Sequence, residues 1–598
     1  MKVCFIGQSK QKLKYSFFSQ HCHMKKRALL LILIILLLPV VFSSKTGEMK
    51  LLAVSNVDTN PEGSVATLKL EIEEGSGRVF MDSFPLSKID TQISTRFAKE
   101  VACNFLEADC SNYDFFYTIR ANSALIGGPS AGAAITILTI SVLEDLPIDA
   151  HTSITGTINT GGIIGPVGSV AAKAQSAANA GVRQVLIPRY TVVNMSNFTG
   201  YEDEYGVEVV EVSHISEALY YFTGVDYTNY EEVNISESYI DTMGQISIEL
   251  CDRAEELSKV YDVDENVSAL NLLKKGKLAV ESNQHYSAAS FCFGSGLNSR
   301  NRMILDQKLT NNQIGLKINE TRMYANDLLV SAKTWPLKTL TDLETYMAVT
   351  DRIFEAKDRL DTSEEFLFSN ESNINASIFQ LAYATERLYS AKSWSVFFGT
   401  EGRQFNFDKK ALDESCLKKI SEVEERIQYV NLILPTDTDD SRDSIRKAYK
   451  DYNSGNPELC LYKASIAKAR IDLLLNSISI DPEYTDEVIE DRLKIVKALI
   501  AKQNQKGIFP IVAYSYYEYA NSLKETDKFS ALLYAGYALE LANLDIYFEK
   551  KKIDFPKISS DQIWFFVTGS MVGFSLSTLL FKLSINNNKK SKKPKKKR

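Results

Sequence analysis

Two spacings of hydrophobic and polar residues divide the chain. Val65-Ala66-Thr67-Leu68-Lys69-Leu70-Glu71-Ile72 alternates apolar with polar positions, the two-residue period of a strand with one buried face. After the turn residues Gly75-Ser76-Gly77, Arg78-Val79-Phe80-Met81 predicts a second strand. Residues 90–106 carry the 3.6-residue period of an amphipathic helix. Beyond it the pattern predicts a strand over 115–121, a buried helix over 131–143 and a strand over 153–158. A further helix carries Lys173, and 184–187 is the strand after it. This alternation predicts a compact α/β domain of ordinary size. From Ser236 to about residue 555 nearly every segment has the helical period, broken by Asn, Gly and Pro. Small and aromatic residues share faces there, as in His285-Tyr286-Ser287-Ala288-Ala289-Ser290-Phe291, Gln380-Leu381-Ala382-Tyr383-Ala384-Thr385-Glu386 and Leu532-Leu533-Tyr534-Ala535-Gly536-Tyr537-Ala538. No strict repeat of about thirty-four residues is visible, so the expectation is an all-helical domain over 236–558 with helical-hairpin repeats left open.

Two apolar runs stand outside this pattern. Residues 28–42 are apolar throughout and follow Met24-Lys25-Lys26-Arg27, which predicts a secretory signal or an uncleaved N-terminal anchor over 24–44, with Met24 a second candidate start. Residues 563–581 hold no charge, are long enough to cross a bilayer as a helix, and precede a basic tail at 586–598. Lys and Arg favour the cytoplasmic side, so the expected topology leaves the tail inside and the bulk of the chain outside a cell membrane, with the lipid bilayer as a partner. Of eight cysteines, Cys4 and Cys22 precede the first apolar run. The remaining six form an even set compatible with an oxidising compartment. Their order suggests Cys103 with Cys110, Cys251 with Cys292 and Cys416 with Cys460, one of about fifteen connectivities. Sequons at Asn194, Asn197, Asn234, Asn266, Asn319 and Asn375 permit glycosylation. The net charge of −7 is spread as mixed charge over the helical region, the texture of solvated helix faces, and argues against nucleic-acid binding.

The candidate chemistry lies in two small-residue segments. One reads Ile126-Gly127-Gly128-Pro129-Ser130-Ala131-Gly132-Ala133-Ala134, a turn entering a helix, where terminal amides are placed to receive a developing oxyanion. The other runs from Gly156 to Lys173 and includes Gly161-Gly162-Ile163-Ile164-Gly165-Pro166-Val167-Gly168. A serine hydroxyl needs a base beside it, and lysine is such a base once burial lowers its pKa from about 10.4. Lys173 sits among Val170, Ala171, Ala172 and Ala174, which suit that burial. The glycines lack the Gly-Lys-Ser/Thr of a phosphate loop. His151, His214 and His285 form no H-E-x-x-H pattern, and His151 reads as an exposed turn residue rather than a triad member.

These two segments, their spacing and the following Val185-Leu186-Ile187-Pro188 resemble the proteolytic domain of Lon proteases, peptidase family S16, over roughly residues 49–229. The resemblance implies an α+β fold of the ribosomal protein S5 domain 2-like type, followed here by the all-α region. It implies Ser130 as nucleophile, Lys173 as general base, Thr155 as the residue orienting the lysine, no cofactor, and homo-oligomers formed through this domain. Two positions depart from the family. Leu125-Ile126-Gly127 stands where acidic or Lys-Asp residues are frequent, and Thr157 where many members carry glutamate, which leaves the pocket more neutral. No ATPase motif is present. The expected function is an ATP-independent, membrane-anchored serine endopeptidase acting on unfolded or membrane-released polypeptides outside the cytoplasm. The alternative is a catalytically inactive Lon-like scaffold that binds partners through its helical domain.

Overall fold

The structure, a computed structural model, describes residues 44–55, 62–84, 86–121, 127–190, 206–227, 235–259, 267–369, 373–433, 439–479 and 482–548, together with 573 and 577. Its first part holds nine described strands: β1 (Lys45–Ser55), β2 (Glu62–Glu74), β3 (Val79–Phe84), β4 (Tyr113–Arg120), β5 (Thr152–Ile154), β6 (Thr157–Ile158), β7 (Ile164–Gly165), β8 (Gln184–Pro188) and β9 (Glu208–Val212). Seven of them form one sheet in the order β3-β4-β2-β1-β5-β8-β9, while β6 and β7 pair separately as a hairpin. β1 and β4 run antiparallel to β2, and the β3–β4, β1–β5, β5–β8 and β8–β9 pairs are parallel, so the sheet is mixed.

Four described helices flank the sheet: α1 (Ile89–Leu106), α2 (Gly132–Leu143), α3 (Val170–Asn179) and α4 (Ile215–Thr223). Period-two patterning decides which face of each strand meets which helix. On β2, Ala66, Leu68, Leu70 and Ile72 enter a core shared with α1, α2 and α4. On β8, Leu186 joins that core, whereas Val185 and Ile187 face the other side with Ala174 and Ala177 of α3. α2 is buried nearly throughout, and the hydroxyls of Thr136 and Thr139 are satisfied locally, whereas Ser141 Oγ has no hydrogen-bond partner among the described residues. Thr136 Oγ1 donates to Gly132 O at 2.8 Å, and Thr139 Oγ1 pairs with Tyr117 Oη at 2.8 Å. The strand expected over 153–158 divides into β5 and β6. Between them Thr155 N donates to Leu186 O (3.1 Å) and Gly156 N to Ser130 O (3.0 Å).

The rest of the described chain is helical. Its helices are α5 (Glu237–Lys259), α6 (Val267–Glu281), α7 (His285–Asp306), α8 (Asn311–Lys333), α9 (Leu340–Phe368) and α10 (Ile374–Trp394). They continue with α11 (Lys409–Ile433), α12 (Asp439–Asn453), α13 (Pro457–Ser479), α14 (Thr485–Gln505), α15 (Ile511–Leu523) and α16 (Lys528–Leu541). Neighbours in sequence pack against one another, as in α6 on α7, α9 on α10 and α15 on α16, and α11 also packs on α1 of the sheet domain. An α+β domain is thus followed by an all-α domain. Disulfides join Cys103 to Cys110, Cys251 on α5 to Cys292 on α7, and Cys416 on α11 to Cys460 on α13. In the chain-entropy picture, the two longer loops each constrain the unfolded state by about 4 kcal/mol.

The membrane expectation is corrected. No helix among the described residues is long and apolar enough to cross a membrane. The segments 24–44, 563–581 and 586–598 lie outside the described residues, apart from 44, 573 and 577. Where an apolar helix is described, it serves the fold: α2 has 12 residues, about 18 Å, against the roughly 30 Å of a hydrocarbon core, and is covered by the sheet. Signal, transmembrane helix, lipid partner and extracytoplasmic placement are therefore withdrawn.

The expectation of solvated charges is corrected as well. Lys419, Glu422, Glu425 and Arg426 on α11, Lys468 and Asp472 on α13 and Glu540 on α16 are all buried. They tolerate burial because opposite charges meet: Lys419 Nζ lies 3.1 Å from Glu422 Oε2, and Arg426 Nε lies 3.0 Å from Asp472 Oδ1.

A lone acid is costlier. Glu344, near the start of α9, is 1% exposed and accepts the Val512 amide at 2.8 Å, and burial pushes its carboxyl up from 4.5 to about 8. The folded chain holds this proton up to about pH 8, whereas the unfolded chain releases it near 4.5. The associated stability is therefore complete below pH 4.5 and declines as pH rises to 8, by a loss on the order of 4 kcal/mol. Glu344→Gln keeps the acceptor for Val512. It is expected to leave the melting temperature unchanged near pH 4.5 and to raise it by roughly 5 °C or more at pH 8–9. Scanning calorimetry at both pH values checks this, and a difference independent of pH refutes the buried titration.

Candidate active site

The serine turn is fixed from two sides. Gly128 holds a left-handed φ of 92°, and its N–H donates to Asp90 Oδ2 at 3.0 Å. Asp90 is buried in the first turn of α1, so the helix that follows the edge strand β3 anchors the approach to Ser130. On the other side Ser130 O accepts from Gly156 N, and Ala133 N donates to Gly156 O at 3.1 Å. The small residues allow this approach. A Cβ on Gly132 would lie 2.9 Å from Ile158 Cγ2, and one on Gly156 would lie 2.4 Å from Ile164 Cγ2. Ser130 itself is half-buried, ahead of α2. Among the described residues, nothing accepts the amides of Ser130 and Ala131, which leaves two donors beside the hydroxyl.

Lys173 projects from α3 and is 4% exposed. Its helix lies tightly on the sheet because Gly63 has no side chain: a Cβ there would sit 1.9 Å from Ala172 O. Lys173 Nζ donates to Thr155 Oγ1 at 3.1 Å, and Thr155 is fully buried. Among the described residues no carboxylate shares the amine, and desolvation lowers its pKa from 10.5 to about 7. At neutral pH a large fraction of the amine carries a free lone pair.

The structure therefore brings Thr155 to Lys173 and the serine turn to the neighbouring Gly156. No hydrogen bond joins Ser130 Oγ to Lys173 Nζ. Thr157 is buried, and its hydroxyl has no hydrogen-bond partner among the described residues. A Cβ on Gly165 would lie 2.3 Å from that hydroxyl, so the glycine at 165 is what gives the Thr157 side chain its room. His151 is exposed, with Nδ1 3.2 Å from Gly181 O, and His214 is buried against Gly161 O at 2.7 Å. Among the described residues no cluster of three or more His, Cys, Asp or Glu side chains is placed to hold a metal ion. The sequence reading missed Asp90, whose acidic side chain at a helix start looked like an ordinary first-turn residue.

Residues 108–222 match the Lon protease (S16) C-terminal proteolytic domain. The archaeal Lon protease of Methanothermobacter thermautotrophicus is 35% identical over 111 residues, 19% of this chain and 17% of that protein. The archaeal Lon protease of Halobacterium salinarum is 34% identical over 101 residues, 17% and 14% of the two chains. The Lon protease of Koribacter versatilis is 33% identical over 107 residues, 18% and 13%. The chain thus spans less than a fifth of the length of these curated relatives. Homology to the C-terminal proteolytic domain supports a serine protease of this family.

Proposed function

We propose that the chain hydrolyses peptide bonds in unfolded polypeptides with Ser130 as nucleophile and Lys173 as base. The observation that carries this reading is the buried amine of Lys173, lowered to about 7 and donating to Thr155, whose neighbour Gly156 bonds to the serine turn. In the reaction Ser130 Oγ bonds to the peptide carbonyl carbon while its proton passes to Lys173 Nζ. The free amides of Ser130 and Ala131 receive the oxyanion. The C–N bond then breaks, and Lys173 returns the proton to the departing amine. Water releases the acyl group by the same route, its proton going first to Lys173 and then to Ser130 Oγ. Hydrogen bonds of this kind tighten when substrate fills the site, so the open Ser130–Lys173 pair suits a resting enzyme.

The sequence carries no Gly-Lys-Ser/Thr, which supports cleavage without nucleotide. Casein incubated with the full chain, with and without ATP, tests the proposal, combined with fluorophosphonate labelling mapped by mass spectrometry. The expected result is ATP-independent cleavage and label on Ser130. Neither cleavage nor label between pH 5 and 10 returns the chain to the inactive-scaffold reading, which the open pair also fits.

A further inference from the structure

The hairpin after Thr155 does not face solvent. Thr157 pairs with Gly165 and Ile158 with Ile164, and the tip between them enters the helical domain. Ile163 belongs to the core of that domain, and a Cβ on Gly161 would stand 2.9 Å from Leu539 Cδ1 on α16. Three polar grips hold the tip and the loop behind it. Arg426 Nη2 on α11 donates to Ile158 O (3.2 Å) and to Asn159 Oδ1 (2.7 Å). Thr160 Oγ1 donates to Glu540 Oε2 (3.0 Å) on α16. One turn beyond Arg426, Tyr429 Oη accepts from Gly168 N (3.1 Å), two residues ahead of the helix that carries Lys173.

The side chains of Asn159, Thr160, Arg426, Tyr429 and Glu540 are buried, and the charges among them are matched within the helical domain by Asp472, Lys419 and Lys468. The base of the same hairpin carries Gly156, bonded to the serine turn, and Thr155, bonded to Lys173. One two-stranded element thus connects α11 and α16 to the Ser130 backbone and, through Thr155, to the Lys173 amine.

We infer that the helical domain is the positioning scaffold of the active site. Arg426 and Tyr429 fix the hairpin and the start of α3, so that Ser130 and Lys173 are held in register. The activity readouts rest on the peptidase reading above; the contacts themselves do not. Both residues stand away from substrate and reacting atoms, and they act through the backbone of 157–168.

The test uses the full chain carrying Tyr429→Phe or Arg426→Lys. The control is Tyr462→Phe, whose hydroxyl pairs with Tyr516 Oη at 2.7 Å inside the helical core. Each of the two hairpin variants is expected to lower kcat about 5–30-fold, because small displacements of reacting groups are costly, with KM within about twofold. The acidic limb of the pH profile should move up by about 0.5 pH unit or more as water reaches Lys173. Amide exchange over 157–170 should quicken roughly tenfold. Tyr462→Phe should change none of these.

Unaltered kcat and exchange in a folded Tyr429→Phe overturn the inference, as do equal changes in the control. Should Arg426→Lys fail to fold, Tyr429→Phe decides alone. If the wild-type chain cleaves nothing, the peptidase reading fails. Exchange over 157–170 and acetylation of the Lys173 amine against pH then still decide the scaffold role, and identical values in wild type and Tyr429→Phe refute it.

Discussion

Ser130→Ala is expected to lower casein cleavage by at least about 10³-fold while moving the melting temperature by no more than about 2 °C. The side chain is half-buried and its hydroxyl makes no hydrogen bond among the described residues, so truncation orphans no polar partner. The glycine and alanine neighbours pack through their backbones, so the lost oxygen leaves little cavity. The effect should also fail to add. Ser130→Ala with Lys173→Ala should be barely slower than either alone, since the two groups share one proton transfer. Fluorescent peptide release from labelled casein measures the loss. Residual activity above about a tenth of wild type would move the nucleophile elsewhere, because mutants of a true nucleophile lose far more.

Activity of the wild-type chain should climb with pH through about 7 and then level off, because only the unprotonated Lys173 accepts the serine proton. Lys173→Arg should be inactive at every pH, since guanidinium keeps its proton above about pH 12. Stability moves with the same proton. The folded amine titrates near 7 and the unfolded one near 10.5. The cost of burying it is therefore full below pH 7 and is relieved as pH rises to 10.5. Lys173→Met, similar in length and apolar, should stabilise the chain at pH 6 by up to about 4 kcal/mol, with the gain fading by pH 10.5. Calorimetry at pH 6 and pH 10 separates this from a packing effect, which would be equal at both. Wild-type cleavage by Lys173→Arg would reduce the lysine to a positive charge and end the proton-transfer mechanism.

Much of the α+β domain could be read from residue order. The alternation at 65–72 lies within β2, the expected helix over 131–143 differs from α2 by one residue, and 184–187 falls inside β8. These segments succeed because one face or one whole helix is buried, and burial writes its period into the sequence. Thr155 and Gly156 broke the pattern. Their apolar and β-prone neighbours suggested one strand, but their amides turn to Leu186 and Ser130 instead.

The surroundings of the site were hidden for a different reason. Arg426, Lys419 and Glu540 resemble any solvated helix charge until partners from three helices are brought together. The one local signal was spacing. Lys419, Glu422, Arg426 and Tyr429 recur at three and four residues along α11, one face of a helix that was assigned to water and in fact meets the hairpin. The apolar run at 563–581 taught the opposite lesson: length and lack of charge qualify a segment to cross a bilayer without placing it there.

The grip on the hairpin also sets an order in time. Tyr429 follows Gly168 by 261 residues, and Glu540 follows Thr160 by 380. A ribosome adding about 5–20 residues per second needs roughly 20–80 s to cover the longer gap. Once residue 223 has been added, the described sheet domain is synthesised with Ser130 and Lys173 in it, while Thr160 still awaits Glu540, more than 300 residues ahead. Translation thus delivers Ser130 and Lys173 early and the helices that grip their hairpin last, so the nascent chain completes most of its own synthesis before that support is in place.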